Sequence, residues 1–176
     1  ASADVPLKGL DYLLEAFSKV VQIFPESTLE VIGSSKKGGH TTRKIKDLSI
    51  KDKVHFNKDL SFKEVRDLYC SSDIVVIPSL YEGFGFAIGE AMACRAPVIT
   101  TSGGAIPEVI GNCGITVAPG NSKELEEAML KLLPDENLKN SLAEKGFNRI
   151  IEHLQWKEAA KLMTESYEAE IKRMTE

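Results

Sequence analysis

The stretch from Asp73 to Thr100 constrains this chain more than any other. It opens on Asp73-Ile74-Val75-Val76-Ile77-Pro78, a β-branched apolar run that reads as a strand buried on both faces. A turn follows that holds Glu82 between Ser79 and two glycines, Gly83 and Gly85. Residues Phe86 to Cys94 are rich in helix formers and contain no proline. Ala96-Pro97-Val98-Ile99-Thr100 then reads as a second short buried strand. The local unit is strand, glycine turn, helix, strand.

That unit suits a ligand. Gly83 and Gly85 permit positive φ and a close approach to the backbone. The first N–H groups of the following helix have no intrahelical partner and fit an anion or a sugar hydroxyl. Glu82 stands in the turn and Glu90 about one turn into the helix, at the carboxyl end of a strand, where open α/β sheets bind ligands. A tight strand-to-helix turn with two solvated acids satisfies the same residues, so turn chemistry alone leaves both readings open.

Elsewhere strands and helices alternate. Leu10, Leu13, Leu14, Phe17, Val20, Val21 and Phe24 follow a helical period from Gly9 to Phe24, where Pro25 stops it. Thr28 to Ile32 is a strand ending at Gly33, and Ser34 to His40 a polar loop. A short helix over 42–48 and a strand over 53–57 come next. Ser61 with Glu64 forms a capping box for a helix to Ser71. After Thr100 the pattern gives a helix over 106–110, a strand over 114–118, and a helix capped by Ser122 to Leu133. Pro134-Asp135 breaks it and starts another to His153, and the last helix, Trp156 to Met174, is amphipathic and acidic. The predicted fold is α/β and Rossmann-like, a mostly parallel sheet with helices on both faces, in one domain over 1–176.

Composition narrows the function classes. At 176 residues with 43% hydrophobic content the chain can bury one good core and is not disordered. No apolar run reaches the length of a membrane span, and no signal-peptide pattern opens the chain. It begins without methionine, which reads as a cut or processed start. A net charge of −4 argues against nucleic acid as a partner. Basic residues outnumber acidic ones between Lys36 and Arg66, as a solvated face or as a positive rim beside an anionic ligand. Cys70, Cys94 and Cys113 are odd in number and widely spaced, against a disulfide framework or a zinc site. Cys70 and Cys94 fall on apolar helix positions and are expected to be buried, as suits a reducing cytoplasm. His40, His55 and His153 lack the spacing of a metal site or a triad.

Three further patterns carry a resemblance. Pro78-Ser79-x-x-Glu82-Gly83-Phe84-Gly85, with Glu90 eight positions after Glu82 and Ala91-Met92-Ala93-Cys94 beyond, is similar to the Glu-x7-Glu motif of retaining glycosyltransferases of the GT-B fold, family 4 (group 1). Lys8-Gly9-Leu10 with Ala16-Phe17 resembles that family's Lys-Gly helix start. Gly103-Gly104 with Pro107-Glu108-Val109 resembles its next loop. The resemblance covers nearly the whole chain, but only the family's C-terminal, nucleotide-binding domain, one half of a GT-B fold.

The resemblance implies binding of a nucleoside-diphosphate sugar for retaining transfer to an acceptor hydroxyl, with no cofactor and no metal. It implies that Lys8 contacts the diphosphate, that Glu90 accepts from the ribose hydroxyls, and that Glu82 is the catalytic carboxylate facing the transferred sugar. The turn Gly83, Phe84, Gly85 and Phe86 would hold sugar hydroxyls or phosphate oxygens through its N–H groups. One of the two phenylalanine side chains is expected in the core and the other at the site. Gly33 would leave room for the nucleotide or simply end its strand. Two positions depart from the family: its arginine five residues before the lysine is Ala3 here, and Arg95 stands where glycine is common, read as structural at a helix end. The family also sets a central strand before the Lys-Gly loop, for which only residues 1–7 remain, so that strand is very short or cut away. An acceptor glycan or lipid-linked sugar would come through an N-terminal domain absent here. The isolated domain would then be inactive, and the whole enzyme cytoplasmic or peripheral to a membrane. The rival readings are a non-catalytic nucleotide-sugar-binding module and a nucleotide-sugar epimerase-like domain of the same architecture.

Overall fold

The apolar period of the first helix is met in the computed structural model, which describes residues 5–175. Helix α1 (Leu10–Ile23) buries Leu10, Leu13, Leu14, Phe17 and Val20 on one face. Strand β1 (Leu29–Ile32), helix α2 (His40–Asp47) and strand β2 (Val54–Asn57) follow. β1 and β2 are parallel, with Leu29 opposite Val54 and Ile32 opposite Asn57. Helix α3 (Phe62–Ser71) carries the predicted capping box: the Ser61 hydroxyl accepts from the Glu64 N–H, and the Ser61 N–H donates to the Glu64 carboxylate at 2.8 Å.

The central unit is strand β3 (Val75–Ile77), helix α4 (Phe86–Ala93) and strand β4 (Val98–Thr101). Helix α5 (Ile106–Ile110) and strand β5 (Ile115–Val117) extend it, and β4 lies between β3 and β5, parallel to both. All four residues of β4 are buried. Val98 joins one apolar cluster, with α4 and α5, and Ile99 joins the other, with α1 and helix α6 (Ser122–Leu132). Alternate side chains of one strand thus feed two cores, which requires helices on both faces. Helix α7 (Glu136–His153) packs on α4.

Three expectations are corrected. α6 is capped by Asn121, whose side-chain oxygen accepts from the Glu124 N–H at 3.0 Å. The Ser122 hydroxyl instead donates to Glu15 Oε2 at 2.7 Å and ties α6 to α1. Strand β3 is shorter than its apolar run, and Val75 and Val76 are only half-buried. The reason is the third correction: the parallel strands form two sheets, β2-β1 and β3-β4-β5, and β1 does not pair with β3. A cleft of about 540 Å³ runs between them, lined by both strands and by Leu13, Phe17 and Val20 of α1. The strand that the resemblance sets before Lys8 would fall on residues 1–7, of which Pro6 and Leu7 lie in a 3-10 turn, Pro6–Lys8, and residues 1–4 are outside the described residues.

Helix α8 (Trp156–Thr175) stands apart. Trp156, Leu162, Met163, Tyr167, Ile171 and Met174 are all exposed, so its apolar residues do not pack back on the domain. No described helix is long and apolar enough to cross a membrane. Since α8 adds nothing to either core, removing residues 156–176 should change the unfolding free energy by no more than about 0.5 kcal/mol. Urea unfolding followed by far-ultraviolet circular dichroism measures it.

Candidate functional site

The turn from Pro78 to Glu82 is clasped by backbone from both sides. Gly9 has φ 67°, and a Cβ there would stand 1.9 Å from the Pro78 carbonyl oxygen. A Cβ at Gly103 would stand 2.1 Å from the Leu80 oxygen. Only glycine allows such contact. Hydrogen bonds hold the same arrangement: the Leu80 N–H donates to the Leu7 carbonyl at 2.8 Å, and the Ala105 N–H to the Glu82 carbonyl at 2.9 Å.

This clasp brings Lys8 to Glu82. Lys8 Nζ lies 2.6 Å from Glu82 Oε1, and the Ser79 hydroxyl donates to the same oxygen at 2.7 Å. The Glu82 side chain is 16% exposed and that of Lys8 43%. Partial burial works against the charged carboxylate, but the hydrogen bonds from Lys8 and Ser79 outweigh it and hold Glu82 below its ordinary value. Glu82 is therefore an anion at neutral pH, already engaged with the cation expected to meet a diphosphate. Neither this pairing nor the part played by Ser79 is visible in the spacing of the residues.

Helix α4 opens from Gly85, at φ 89°, and no side chain caps it. Its leading N–H groups can therefore receive a ligand's oxygens. Positive φ is needed at Gly85 and not at Gly83, where a Cβ would meet open space. Phe84 and Phe86 are both exposed, with ring centroids 4.4 Å apart, so neither belongs to the core. The buried face of α4 is supplied by Ile88, Ala91 and Met92 instead.

Glu90 is exposed and lines a second cleft, of about 660 Å³, between α3 and α4. The Tyr69 hydroxyl faces Glu90 Oε2 at 3.5 Å, longer than a strong O–H···O bond. Burial, then the negative charge of Glu90, pushes that hydroxyl up to about 12. Burial and the neighbouring Cys70 thiol push Cys94 up to about 11. Cys94 is half-buried, but Cys70 is exposed, against expectation; the inward position at this end of α3 is taken by Tyr69. Ile32 and Tyr69 line both clefts, so they form the wall between the Lys8–Glu82 pair and Glu90.

Other candidates fall elsewhere. Gly33, at φ 146°, donates its N–H to the Asn57 carbonyl at 2.8 Å and lines neither cleft. Arg95 occupies the left-handed region at φ 56°, stacks on the Phe147 ring at 3.8 Å and contacts Glu144. His40 pairs with Asp11 at 2.7 Å. Among the described residues no group of three or more His, Cys, Asp or Glu could hold a metal ion. Ala3 lies outside the described residues.

Residues 1–135 match the family of Glycosyl transferases group 1. The chain belongs to this family. It is 35% identical over 177 residues to the MMP alpha-(1->4)-mannosyltransferase of Mycolicibacterium hassiacum, a match that covers 99% of this chain and 43% of the relative. This group 1 glycosyltransferase chain therefore spans less than half the length of that relative. It superposes on sucrose-phosphate synthase from Thermosynechococcus elongatus with a TM-score of 0.80 at 25% identity, covering 96% of this chain and 43% of that one. The C-terminal domain of the group 1 glycosyl transferase LpcC from Francisella tularensis gives a TM-score of 0.76 at 28% identity, with 86% and 82% covered. The fold is Rossmann-like, as in the C-terminal half of a GT-B fold.

Gly9→Ala should destabilise this glycosyltransferase chain by about 2 kcal/mol or more, since it combines a positive φ with a backbone collision. Gly83→Ala should unfold like the wild type; urea titration compares them. Glu82 also sets a pH dependence. Its folded-state pKa is depressed, so its contribution is present above its ordinary value of 4.5 and lost as pH falls through the lower folded-state value. Glu82→Gln should remove that part of the acid dependence and leave a flatter profile below 4.5, read from unfolding midpoints against pH.

Proposed function

We propose that this domain binds a nucleoside-diphosphate sugar for transfer of the hexosyl group to an acceptor hydroxyl with retained configuration. One observation carries the reading: the Lys8–Glu82 pair beside the uncapped start of α4, with Glu90 across the wall of Ile32 and Tyr69. Glu90 is an acceptor-only carboxylate and can take both hydroxyls of a ribose diol. Lys8 and the leading N–H groups of α4 meet the diphosphate, and they neutralise it as it leaves without a metal ion. The ammonium of Lys8 has three donors, so it can take a phosphate oxygen and keep Glu82. Glu82 sits beside the sugar, where its charge favours a developing oxocarbenium centre. The relative's name as a mannosyltransferase supports a hexosyl donor.

The acceptor, a glycan or a lipid-linked sugar, is met by an N-terminal domain of the whole enzyme, in the cytoplasm or at a membrane surface. The chain spans 43% of its mannosyltransferase relative, and by itself it binds donor and turns over little.

Thermal unfolding against UDP, GDP and ADP, with and without magnesium, tests the reading. A nucleotide that binds only the folded chain raises the midpoint by mass action. At least one should do so without magnesium, and Glu90→Ala should remove the shift while the variant stays folded. No shift with any of the three at millimolar concentration would overturn donor binding.

A further inference from the structure

Phe62 is 94% exposed, more than any other large apolar residue described, and it stands at the first position of α3. The helix does not need it there. Its start is secured by the Ser61–Glu64 capping box, and its buried residue is Tyr69. Phe62 instead lines the cleft between α3 and α4, where Ile32, Leu60, Val65 and Ala93 supply the apolar walls. At about 660 Å³ this cleft falls within the range of sites that take small organic ligands.

The polar side chains of the cleft are mostly committed. The Ser61 hydroxyl bonds the Glu64 carboxylate at 2.6 Å, and Arg66 bonds Asp67 at 2.9 Å. The Tyr69 hydroxyl faces Glu90. Glu90 alone has no partner closer than that 3.5 Å approach. The cleft therefore offers a flat apolar surface at its rim, one carboxylate within, and a shared wall leading to Lys8. A ligand that satisfies all three has a planar ring, then a diol, then an anion. A nucleoside diphosphate has that order.

We infer that Phe62 is the stacking platform for the base of the donor nucleotide, which lies in the α3–α4 cleft with its ribose at Glu90. This rests on the donor-binding reading above and adds a base-binding residue to it. The base is gripped through its π face, which every nucleobase possesses, and side chains contribute little to reading its edge. Phe62 therefore supports every nucleotide that the domain accepts.

Isothermal titration of the full chain with UDP, GDP and ADP tests this. Phe62→Ala should weaken each nucleotide that the wild type binds by about tenfold, the order of one base–aromatic stack. Phe62→Leu, which keeps an apolar side chain without a π face, should fall with it, and Phe62→Trp should bind at least as well as wild type. The side chain is exposed, so all three variants should unfold at the wild-type midpoint, and that is checked first. Unchanged affinity in Phe62→Ala overturns the inference and leaves donor binding standing, and wild-type affinity in Phe62→Leu overturns stacking. A wild type that binds no nucleotide defeats the donor reading and this inference with it.

Discussion

The site depends on one contact between backbones. The α carbon of Gly9 presses against the carbonyl of Pro78 so closely that no side chain can stand between them. On the other side Gly103 presses on Leu80 in the same way. These glycines allow the loop before α1, the end of β3 and the loop after β4 to meet at one point. Lys8 reaches Glu82 across 74 positions of sequence only because that point exists. The contact serves geometry and not burial, since Lys8 remains partly open to solvent.

The electrostatics of the pair are compatible with the donor binding proposed above. A partly exposed ion pair is worth at most about 1 kcal/mol, because solvent screens it and the lysine loses side-chain freedom. A diphosphate brings more charge than one carboxylate, and charge-assisted hydrogen bonds are worth about 1.5–3 kcal/mol each. In the proposed donor complex a diphosphate can therefore recruit Lys8 at little cost, the lysine keeping Glu82 through another of its three donors. Ser79 matters here. By donating to Glu82 it favours the ionised carboxylate independently of Lys8.

The two sheets meet the site differently. β4 is paired on both edges and buried on both faces, and it anchors the turn through the Thr101 hydroxyl, which donates to the Ser79 carbonyl. β1 and β3 each have one neighbour and border the cleft of about 540 Å³ between the sheets. The lower burial of Val75 and Val76 follows from that edge position and not from their chemistry, which would suit a covered strand equally well. The apolar residues of α8 are exposed for a different reason: none of them belongs to either described core.

Much of this was legible in the order of residues. The helical period of α1, the Ser61–Glu64 box, the turn at Gly85 and the eight-residue step from Glu82 to Glu90 all act within a few residues, so sequence alone determined them. So did the parallel α/β class, because strands and helices alternate along the chain. What only the tertiary structure decided lies in contacts between elements. The engagement of Lys8 by Glu82, the loss of Ser122 as a cap to Glu15, the exposure of both Phe84 and Phe86, and the division of the sheet between β1 and β3 are of this kind. Periodicity tells which face of an element is apolar. It does not tell which neighbour, tens of residues away, comes to cover that face or to claim a side chain, because packing between elements settles that.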